Sequence, residues 1–269
     1  MRTSPEILPV PAALHPGLVD PAYRARRDAI AASSALHVPG QPVPTLDYTE
    51  EEELTWRAVW NALLPLHREH GASCLVERGD ELGLFDGPIP QLEDLNSGAL
   101  AASGFRFEPV EGLVPARRFF EALGQRTFLS TRFLRHGAEP LYTPEPDLVH
   151  EVAGHAAALS LPWLADLAEA FGRAAAGASD SRLLEIDRVF WLTMEFGVVA
   201  EGGAPKALGA GLMSSAGEIS SFADRATLLP FDLEAMVATE YETDEMQSRL
   251  FVAPSTDALS RELHGFLGS

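Results

Sequence analysis

A mainly α fold with a small β element is predicted by three features of the sequence. Segments with helical periodicity and capping residues recur along most of the 269 residues. Two short stretches near the middle, FRFEPV (105–110) and TFLSTRFL (127–134), have the alternation and aromatic content of strands. Neither an internal repeat nor a low-complexity linker divides the chain, and 46% of its residues are apolar. We therefore expect residues 1–269 to form one domain with a substantial core.

The helices are predicted from their caps and apolar faces. Thr49 and the glutamates that follow it indicate the start of a long helix over residues 48–71. Ser179 and Asp180 indicate the start of another over residues 179–201, for which Gly202–Gly203 is a suitable C-terminal stop. Further helices are predicted over residues 21–37, 116–125, 161–177 and 256–267.

Composition excludes several classes of function. The formal net charge of −19 repels the phosphates of nucleic acids and anionic membrane surfaces. The single cysteine, Cys74, cannot form an internal disulfide or a thiolate-rich metal site, and Lys206 is the one lysine available for Schiff-base chemistry. No apolar run approaches 18 residues, and the first 17 residues do not have the apolar core of a signal peptide. We expect a cytoplasmic protein that binds neither nucleic acid nor membrane.

The stretch TPEPDLVHEVAGH (143–155) holds two histidines, His150 and His155, five positions apart. On a regular α-helix the second side chain would point about 140° away from the first. The zinc-protease signature H-E-x-x-H avoids this by spacing its histidines four apart on one face. For His150 and His155 to act together, the backbone between them must be distorted, and Gly154 permits a local bulge. We predict such a distortion.

Glu195 is the one acid in a strongly apolar segment, VFWLTMEFGVV (189–199). An unpaired carboxylate in such surroundings costs several kcal/mol, so Glu195 requires a proton, a hydrogen-bond partner or a cation. If it meets His150 and His155, the three groups form the two-histidine, one-carboxylate face of non-haem Fe(II) oxygenases. Two other interpretations remain open at this point, namely hydrogen-bonded core groups without a metal, and a zinc site with Glu151 as general base.

The flanking sequence resembles the biopterin-dependent aromatic amino acid hydroxylases. The resemblance depends on TPEPDxxHExxGH, on FWxTxEFG (190–197) and on GAGLxSSxGE (209–218). It continues through DPAYRARR, GQPVPTLDYTEEEELTW, IPQLEDL, GFRFEPVEGL and RFLRHGAEPLYTPEPD, in consistent order over roughly residues 14–265. Within the family the chain is most similar to the short bacterial phenylalanine hydroxylases. The resemblance implies a single catalytic domain without regulatory or tetramerisation domains, and a monomer.

The resemblance also implies roles for individual residues. His150, His155 and Glu195 match the iron ligands of the family. Val114, Phe119, Phe120 and Glu151 match its pterin site, with the pterin ring stacked on Phe119. Seven residues match the substrate site, where Arg135 would clamp the amino-acid carboxylate: Arg135, Thr143, Pro146, Asp147, Trp191, Phe196 and Ser214. Asp147 would orient Arg135 and the histidine ligand, and Ser214 would add a hydrogen bond near His150.

The implied reaction is hydroxylation of a free aromatic amino acid by Fe(II), a tetrahydropterin such as tetrahydrobiopterin, and dioxygen. Trp191 favours phenylalanine as substrate and tyrosine as product, because relatives that act on tryptophan tend to carry phenylalanine there. Tryptophan hydroxylation and meta-hydroxylation of phenylalanine are the alternatives within the class. A zinc hydrolase and a non-catalytic binding protein are the alternatives outside it. Three departures affect the pocket: Phe190 replaces a usual tyrosine, Thr243 lies where relatives vary, and Ala156–Ala157 stand where a proline commonly follows.

Overall fold

The computed structural model describes residues 15–85, 87–241, 243 and 245–268. Helices dominate these residues, as the sequence predicts. In chain order they are α1 (Pro16–Val19), α2 (Pro21–Ala35), α3 (Glu50–His70), α4 (Ser73–Leu82), α5 (Leu92–Ser97), α6 (Ala116–Leu123), α7 (Leu148–His150), α8 (Ala157–Leu159), α9 (Pro162–Ala175), α10 (Asp180–Phe190), α11 (Ala210–Ser214), α12 (Ala216–Arg225), α13 (Leu233–Ala238) and α14 (Thr256–Leu267). Two π-helical turns, Glu151–Ala156 and Trp191–Glu195, follow α7 and α10.

The strands form two small sheets. Strands β1 (Arg106–Pro109) and β2 (Thr127–Ser130) pair in parallel, and their aromatic residues Phe107 and Phe128 lie side by side. The second sheet has the order β4-β3-β6-β5, built from β3 (Val198–Glu201), β4 (Ala204–Ala207), β5 (Thr227–Pro230) and β6 (Arg249–Ala253). The β3–β4 pair is antiparallel, whereas β3–β6 and β5–β6 are parallel. The predicted mainly α fold with a small β element is confirmed.

Helix α3 illustrates how the sequence specifies its own boundaries. The Thr49 hydroxyl accepts a hydrogen bond from the Glu52 amide, and the Glu52 carboxylate accepts one from the Thr49 amide, which makes a capping box. The helix ends at His70 with Gly71 as its C-cap, within one residue of the predicted end. Its inward face buries two tryptophans, Trp56 and Trp60, whose rings meet edge to face at 5.4 Å.

The helix predicted over residues 179–201 is wrong at its C-terminal end. It begins as expected, with the Ser179 hydroxyl accepting from the Arg182 amide, but helical structure stops at Glu195. Val198 and Val199 instead begin β3, which suits β-branched residues. Gly202 and Gly203 both have positive φ (59° and 84°) and join β3 to β4 in a tight hairpin, so they are turn residues and not a helix cap.

The strand predicted in residues 127–134 is shorter than expected, because β2 ends at Ser130. The following segment leaves the sheet and carries Arg132 and Arg135 inward. The four-stranded sheet and helices α4, α11 and α12 were not predicted.

One hydrophobic core connects the elements from α3 to α14. Helix α9 runs through it and packs against α6, α10 and α14, burying Leu167 and Phe171 completely. Among the described residues, no helix combines the length and the apolarity that crossing a bilayer requires. The site predicted from the sequence lies where α7, α10 and α11 meet, since α11 packs against both π-helical turns.

Candidate active site

The backbone between His150 and His155 is distorted as predicted. His150 ends α7, and the chain continues in a π-helical turn from Glu151 to Ala156. Hydrogen bonds in a π-helix join residues five apart, so a spacing of five replaces the usual four for side chains one turn apart. The imidazoles of His150 and His155 consequently face each other, with their Nε2 atoms 3.1 Å apart.

Gly154 matters here for a reason that differs from the one expected. Its backbone is not in the left-handed region, so the conformational freedom of glycine is not what this position requires. A Cβ at this position would instead lie 2.5 Å from the Ala210 Cβ and 2.9 Å from the Ala210 carbonyl oxygen, closer than atoms pack. Glycine therefore lets α11 approach the π-helical turn, and it is this approach that brings Ser214 of α11 to the histidines.

We expect the substitution Gly154→Ala to displace α11 and to destabilise the protein by about 1–3 kcal/mol, the usual cost of overpacking a core. The measurement is the thermal midpoint, together with the metal content of the purified protein. Gly265→Ala is the control, because its Cβ meets open space on α14. It should keep the metal content and raise stability slightly, by about 0.5–1 kcal/mol, since alanine favours a helix more than glycine does. If Gly154→Ala has the same thermal midpoint and the same metal content as Gly265→Ala, close packing of α11 against Gly154 is not the reason for the glycine.

Glu195 completes the cluster. Its carboxylate oxygens lie 3.3 Å from Nε2 of His155 and 3.6 Å from Nε2 of His150. The separations among the three donors are close to the values of about 3.0–3.4 Å expected for ligands about 2.1 Å from one ion at angles of 90–109°. His155 and Glu195 are buried, at 5% and 8% exposure. A carboxylate and two imidazole nitrogens that converge away from water fit a divalent cation.

A second carboxylate, Glu151, lies close enough to His150 and His155 to complete a metal site, because ligand atoms of these three residues lie within 4.8 Å of one another. Its Oε1 already accepts two hydrogen bonds from Thr131, one from the amide at 3.0 Å and one from the hydroxyl at 2.9 Å. Both oxygens of Glu195, in contrast, face imidazole nitrogens. This geometry favours Glu195 over Glu151 as the third ligand, and the assignment stays a prediction.

The pKa shifts follow from burial and proximity. Burial, with His155 adding to it, lowers the pKa of His150 to about 4. Burial raises the pKa of Glu151 to about 7 against the opposing effect of His155. Burial opposes the charged forms of His155 and Glu195 as well, but their mutual attraction outweighs it, raising the pKa of His155 and lowering that of Glu195. The cluster thus favours one positive charge beside Glu195, which a metal cation would also supply.

Hydrogen bonds behind the histidines fix their orientation. The Ser214 hydroxyl lies 2.9 Å from Nδ1 of His150 and also donates toward the Gly211 carbonyl at 3.4 Å. In the tautomer whose Nδ1–H donates to the Ser214 hydroxyl oxygen, the Nε2 lone pair is directed at the cluster, which is the form that metal binding requires. The contact between Ser214 and His150 expected from the sequence is therefore present.

Phe128 and Thr131 contact the site without having been predicted in it. The Phe128 ring lies 4.3 Å from the His155 imidazole, centroid to centroid, and tilts by 35° against it. Thr131 binds Glu151 as described above. Both come from β2 or the residue after it, in TFLSTRFL, which the sequence presented as an ordinary strand. The sequence signal for Thr131 was a hydroxyl side chain at the end of an apolar strand, where it can bind a buried polar group.

Arg135 and Asp147 form a buried ion pair beside α7. The Asp147 carboxylate accepts from Nε of Arg135 at 2.9 Å, from Nη2 at 2.8 Å and from its backbone amide at 2.7 Å. It also accepts from the His150 amide at 3.3 Å, which caps α7. Asp147 therefore orients Arg135 directly, as expected, but it reaches the histidine through the backbone and not through the ring.

The predicted pterin residues lie on α6 and the loop before it. Phe119 is partly buried and meets Phe120, Phe128 and Phe190 edge to face at 5.5–5.7 Å. Through Phe128 its ring is connected to that of His155. Phe120 is only 1% exposed and packs into the core, whereas Val114 is partly exposed in the loop. Contact of Phe119, Phe120, Val114 and Glu151 with a pterin stays a prediction.

The predicted substrate residues lie in two places. Thr143 and Pro146 belong to the loop before α7, where the Thr143 hydroxyl donates to the Glu145 carbonyl at 2.9 Å. Trp191 and Phe196 flank the second π-helical turn, with ring centroids 5.0 Å apart. Both groups are partly buried, and each adjoins one ligand-bearing turn. Their contact with a substrate stays a prediction.

These features define a class of protein. Two π-helical turns in a mainly α domain bring two histidines and one glutamate to a buried point, as in the metal centres of non-haem iron enzymes. The comparison with known families agrees. A family model described as biopterin-dependent aromatic amino acid hydroxylase matches residues 9–269. The chain belongs to this family.

Individual relatives support the assignment. The chain is 39% identical over 261 residues to phenylalanine-4-hydroxylase of Rattus norvegicus, covering 94% of this chain and 57% of that protein. It therefore spans little more than half the length of the curated relatives it matches. A crystal structure of Chromobacterium violaceum phenylalanine hydroxylase with bound iron(III) and oxidised cofactor 7,8-dihydrobiopterin superimposes with a TM-score of 0.80 at 28% identity, covering 92% of this chain and 89% of that one. Legionella pneumophila phenylalanine hydroxylase gives a TM-score of 0.77 at 28% identity, covering 87% and 91% of the two chains.

Proposed function

We propose that this protein is an Fe(II), tetrahydropterin-dependent monooxygenase that hydroxylates L-phenylalanine to L-tyrosine. The observation that carries the proposal is the convergence of His150, His155 and Glu195 at separations of 3.1–3.6 Å in a chain of this family. Relatives named phenylalanine-4-hydroxylase and a neighbouring structure that contains iron and dihydrobiopterin support the same reaction. Two histidines and one glutamate can hold zinc as well as iron, so iron is favoured over the zinc hydrolase alternative by the family to which the chain belongs and by the neighbouring structure that contains iron(III).

The metal would be held by the two Nε2 atoms and the Glu195 carboxylate. Iron supplies the redox chemistry with dioxygen that no amino-acid side chain provides. The chain supplies the rest of the environment. Ser214 would accept from Nδ1–H of His150 and so leave its Nε2 free, the Phe128 ring restricts rotation of His155, and the burial of His155 and Glu195 limits the access of bulk water.

The amino-acid substrate would be oriented by Arg135. Asp147 occupies the edge of the guanidinium formed by Nε and Nη2, so the outer edge, formed by Nη1 and Nη2, is the part that would bind a carboxylate through two parallel hydrogen bonds. Nη1 has a long contact of 3.5 Å to the Pro140 carbonyl, which a carboxylate would replace at little cost. A lysine could not bind Asp147 and the substrate in this way.

The identity of the substrate depends on the aromatic wall made by Trp191 and Phe196. A large indole at position 191 reduces the room for a second fused ring, which favours phenylalanine over tryptophan. Tryptophan hydroxylation and meta-hydroxylation of phenylalanine are the two competing activities. Product analysis by mass spectrometry and NMR distinguishes all three.

The direct test is aerobic turnover with ferrous iron, a synthetic tetrahydropterin and a panel of aromatic amino acids. We expect tyrosine from phenylalanine and dependence on both iron and the pterin. Hydroxylation of none of the amino acids by iron-loaded protein, or turnover that continues without a pterin, would overturn the proposal.

We expect Phe119→Ala to raise the tetrahydropterin KM by about fivefold, since ring stacking contributes about 1 kcal/mol beyond burial. Steady-state kinetics with varied pterin at saturating phenylalanine measure this effect. Phe231→Ala truncates a partly buried phenylalanine that follows β5, and it serves as the control. An unchanged pterin KM in Phe119→Ala would remove this ring from the proposed pterin site.

We further propose that residues 1–269 act as one catalytic domain, as a cytoplasmic monomer that binds neither nucleic acid nor membrane. The continuous core supports one domain, and the net charge of −19 opposes both self-association and binding to anionic partners. Light scattering coupled to size-exclusion chromatography tests the monomer, for which a mass near 29.0 kDa is expected. A stable mass of twice this value would contradict it.

A further inference from the structure

Trp191 is held by two residues that lie outside the predicted set of metal ligands, Tyr241 and Gln247. Its indole ring stacks on the Tyr241 ring with centroids 4.4 Å apart and planes within 11°. The Tyr241 hydroxyl donates to Asp187, one turn before Trp191 on α10, at 2.5 Å. The indole Nε1–H donates to Oε1 of Gln247 at 3.3 Å. The stack fixes the plane of the indole, and the hydrogen bond fixes its rotation within that plane.

Gln247 is itself held by an ion pair that the proposed chemistry does not use, in which the acid is buried and the arginine side chain is 31% exposed. Glu218 and Arg225, both on α12, form this pair. The Gln247 amide donates to Glu218 Oε1 at 2.8 Å, and its carbonyl accepts from Nη1 of Arg225 at 3.1 Å. Gln247 and Glu218 are 6% and 5% exposed. Both backbone polar groups of Gln247 are thus bound by oppositely charged side chains, which leaves its side chain little freedom of position.

A buried acid that is paired in this way requires an explanation beyond stability. Because the Arg225 side chain is partly exposed, the pair contributes little to stability and is weak evidence for a role in folding. The ion pair has a specific geometric consequence. It holds Gln247 where its side-chain oxygen Oε1 accepts from Nε1–H, the one polar group of the Trp191 indole. The ion pair therefore serves to position the Gln247 side chain more than to stabilise the fold.

We propose that Gln247, held by Glu218 and Arg225, is a positioning residue that sets the orientation of Trp191 and thereby the selectivity of the site for phenylalanine over tryptophan. This inference rests on the proposed function, in which Trp191 forms the wall beside the substrate ring. Gln247 acts through Trp191 and not on the substrate. Loss of its acceptor oxygen frees the indole to rotate, which enlarges the pocket and loosens the hold on the smaller ring.

The test compares Gln247→Met, which has similar length and no strong acceptor, with Gln247→Glu, which keeps an oxygen at the same place. Gln125→Met makes the same chemical change at an exposed turn and serves as the control. Should Gln247→Met fold poorly, Glu218→Gln keeps an acceptor for the Gln247 amide while weakening the hold of Arg225, and it should act in the same direction. Thermal midpoints of all variants report on folding.

Two measurements are expected to change together. The indole N–H resonance of Trp191, assigned with Trp191→Phe among the four tryptophans, should shift or broaden in Gln247→Met and return toward its original position in Gln247→Glu. The ratio of kcat/KM for phenylalanine to that for tryptophan should fall by about fivefold, as loss of a hydrogen bond of about 1 kcal/mol predicts. If the wild-type protein turns over normally, either of two results in Gln247→Met would overturn this inference and leave the proposed function intact. One is an unchanged Trp191 resonance, and the other is an unchanged selectivity. Failure of the wild-type protein to hydroxylate any aromatic amino acid would overturn the proposed function.

Discussion

Replacing Glu195 with alanine is expected to reduce hydroxylation more than about 100-fold and to abolish stoichiometric iron binding. Loss of a group that merely supports a ligand costs about 10–100-fold in metal affinity or activity, and loss of a direct donor should cost more. The reason is the geometry of the cluster, in which both oxygens of Glu195 face the Nε2 atoms of His150 and His155. Metal analysis and product formation measure the two effects.

A second readout separates metal binding from folding. Wild-type protein should gain thermal stability when ferrous iron is added, because a ligand that binds only the folded state stabilises it. Glu195→Ala should not gain stability when iron is added, whatever its metal-free midpoint. Glu185→Ala makes the same change on α10, where the carboxylate pairs with Arg182 and is 40% exposed, and should behave as wild type. An iron-dependent midpoint shift of normal size in Glu195→Ala would reject the ligand assignment.

Replacing Asp147 with asparagine is expected to lower the free energy of unfolding by about 3–5 kcal/mol, the cost of leaving one member of a buried ion pair without its partner. The Arg135 and Asp147 side chains are 3% and 0% exposed. For a chain of this size, that loss corresponds to roughly 6–20 °C in the thermal midpoint. Asp147 also caps α7 through the His150 amide, so metal affinity should fall as well. Differential scanning calorimetry and an iron titration measure the two quantities.

Asp166→Asn provides the matched control for this prediction. Asp166 pairs with Arg126 at 2.5 Å, but its side chain is 55% exposed, and an exposed ion pair contributes no more than about 1 kcal/mol. The difference between the two variants isolates the effect of burial. Equal losses of stability in Asp147→Asn and Asp166→Asn would show that the inner pair is not the stabilising element described above.

His150, His155 and Glu195 could be singled out from the sequence because their constraints are local or chemical, whereas their meeting at one point was implied by the family resemblance. A five-residue histidine spacing is incompatible with joint action on a regular helix, so a distortion had to follow, and the π-helical turn over Glu151–Ala156 supplies it. Glu195 stood out because a single acid in an apolar segment requires a partner. Neither argument needs to know where the rest of the chain lies.

The second sheet was not predictable in the same way. Val198 and Val199 continue an apolar run that suits a buried helix as well as a strand, and their identity as β3 is fixed by pairing with β6, about fifty residues later. The role of Gly154 has the same character, since the reason for the glycine is Ala210 on another helix. Contacts between residues far apart in the chain determine both the strand at Val198–Val199 and the need for glycine at position 154.

For the site residues too, what a side chain can bind is predictable from the sequence, whereas its actual partner is not. A guanidinium at Arg135 predicts that it binds a carboxylate, but only the fold shows that Asp147 takes one edge of it. Gln247 carries no sequence signal that would connect it to Trp191, because the two residues are far apart in the chain and glutamine is common on surfaces. The residue type indicates what kind of group a side chain can bind, whereas the structure is needed to show which residue it binds.

The most direct test of the account is a crystal structure of the protein loaded anaerobically with ferrous iron. We predict one iron within about 2.0–2.3 Å of Nε2 of His150, Nε2 of His155 and a carboxylate oxygen of Glu195, with its remaining positions open to water or substrates. Iron bound elsewhere, or bound by Glu151 while Glu195 turns away from the two imidazoles, would contradict it.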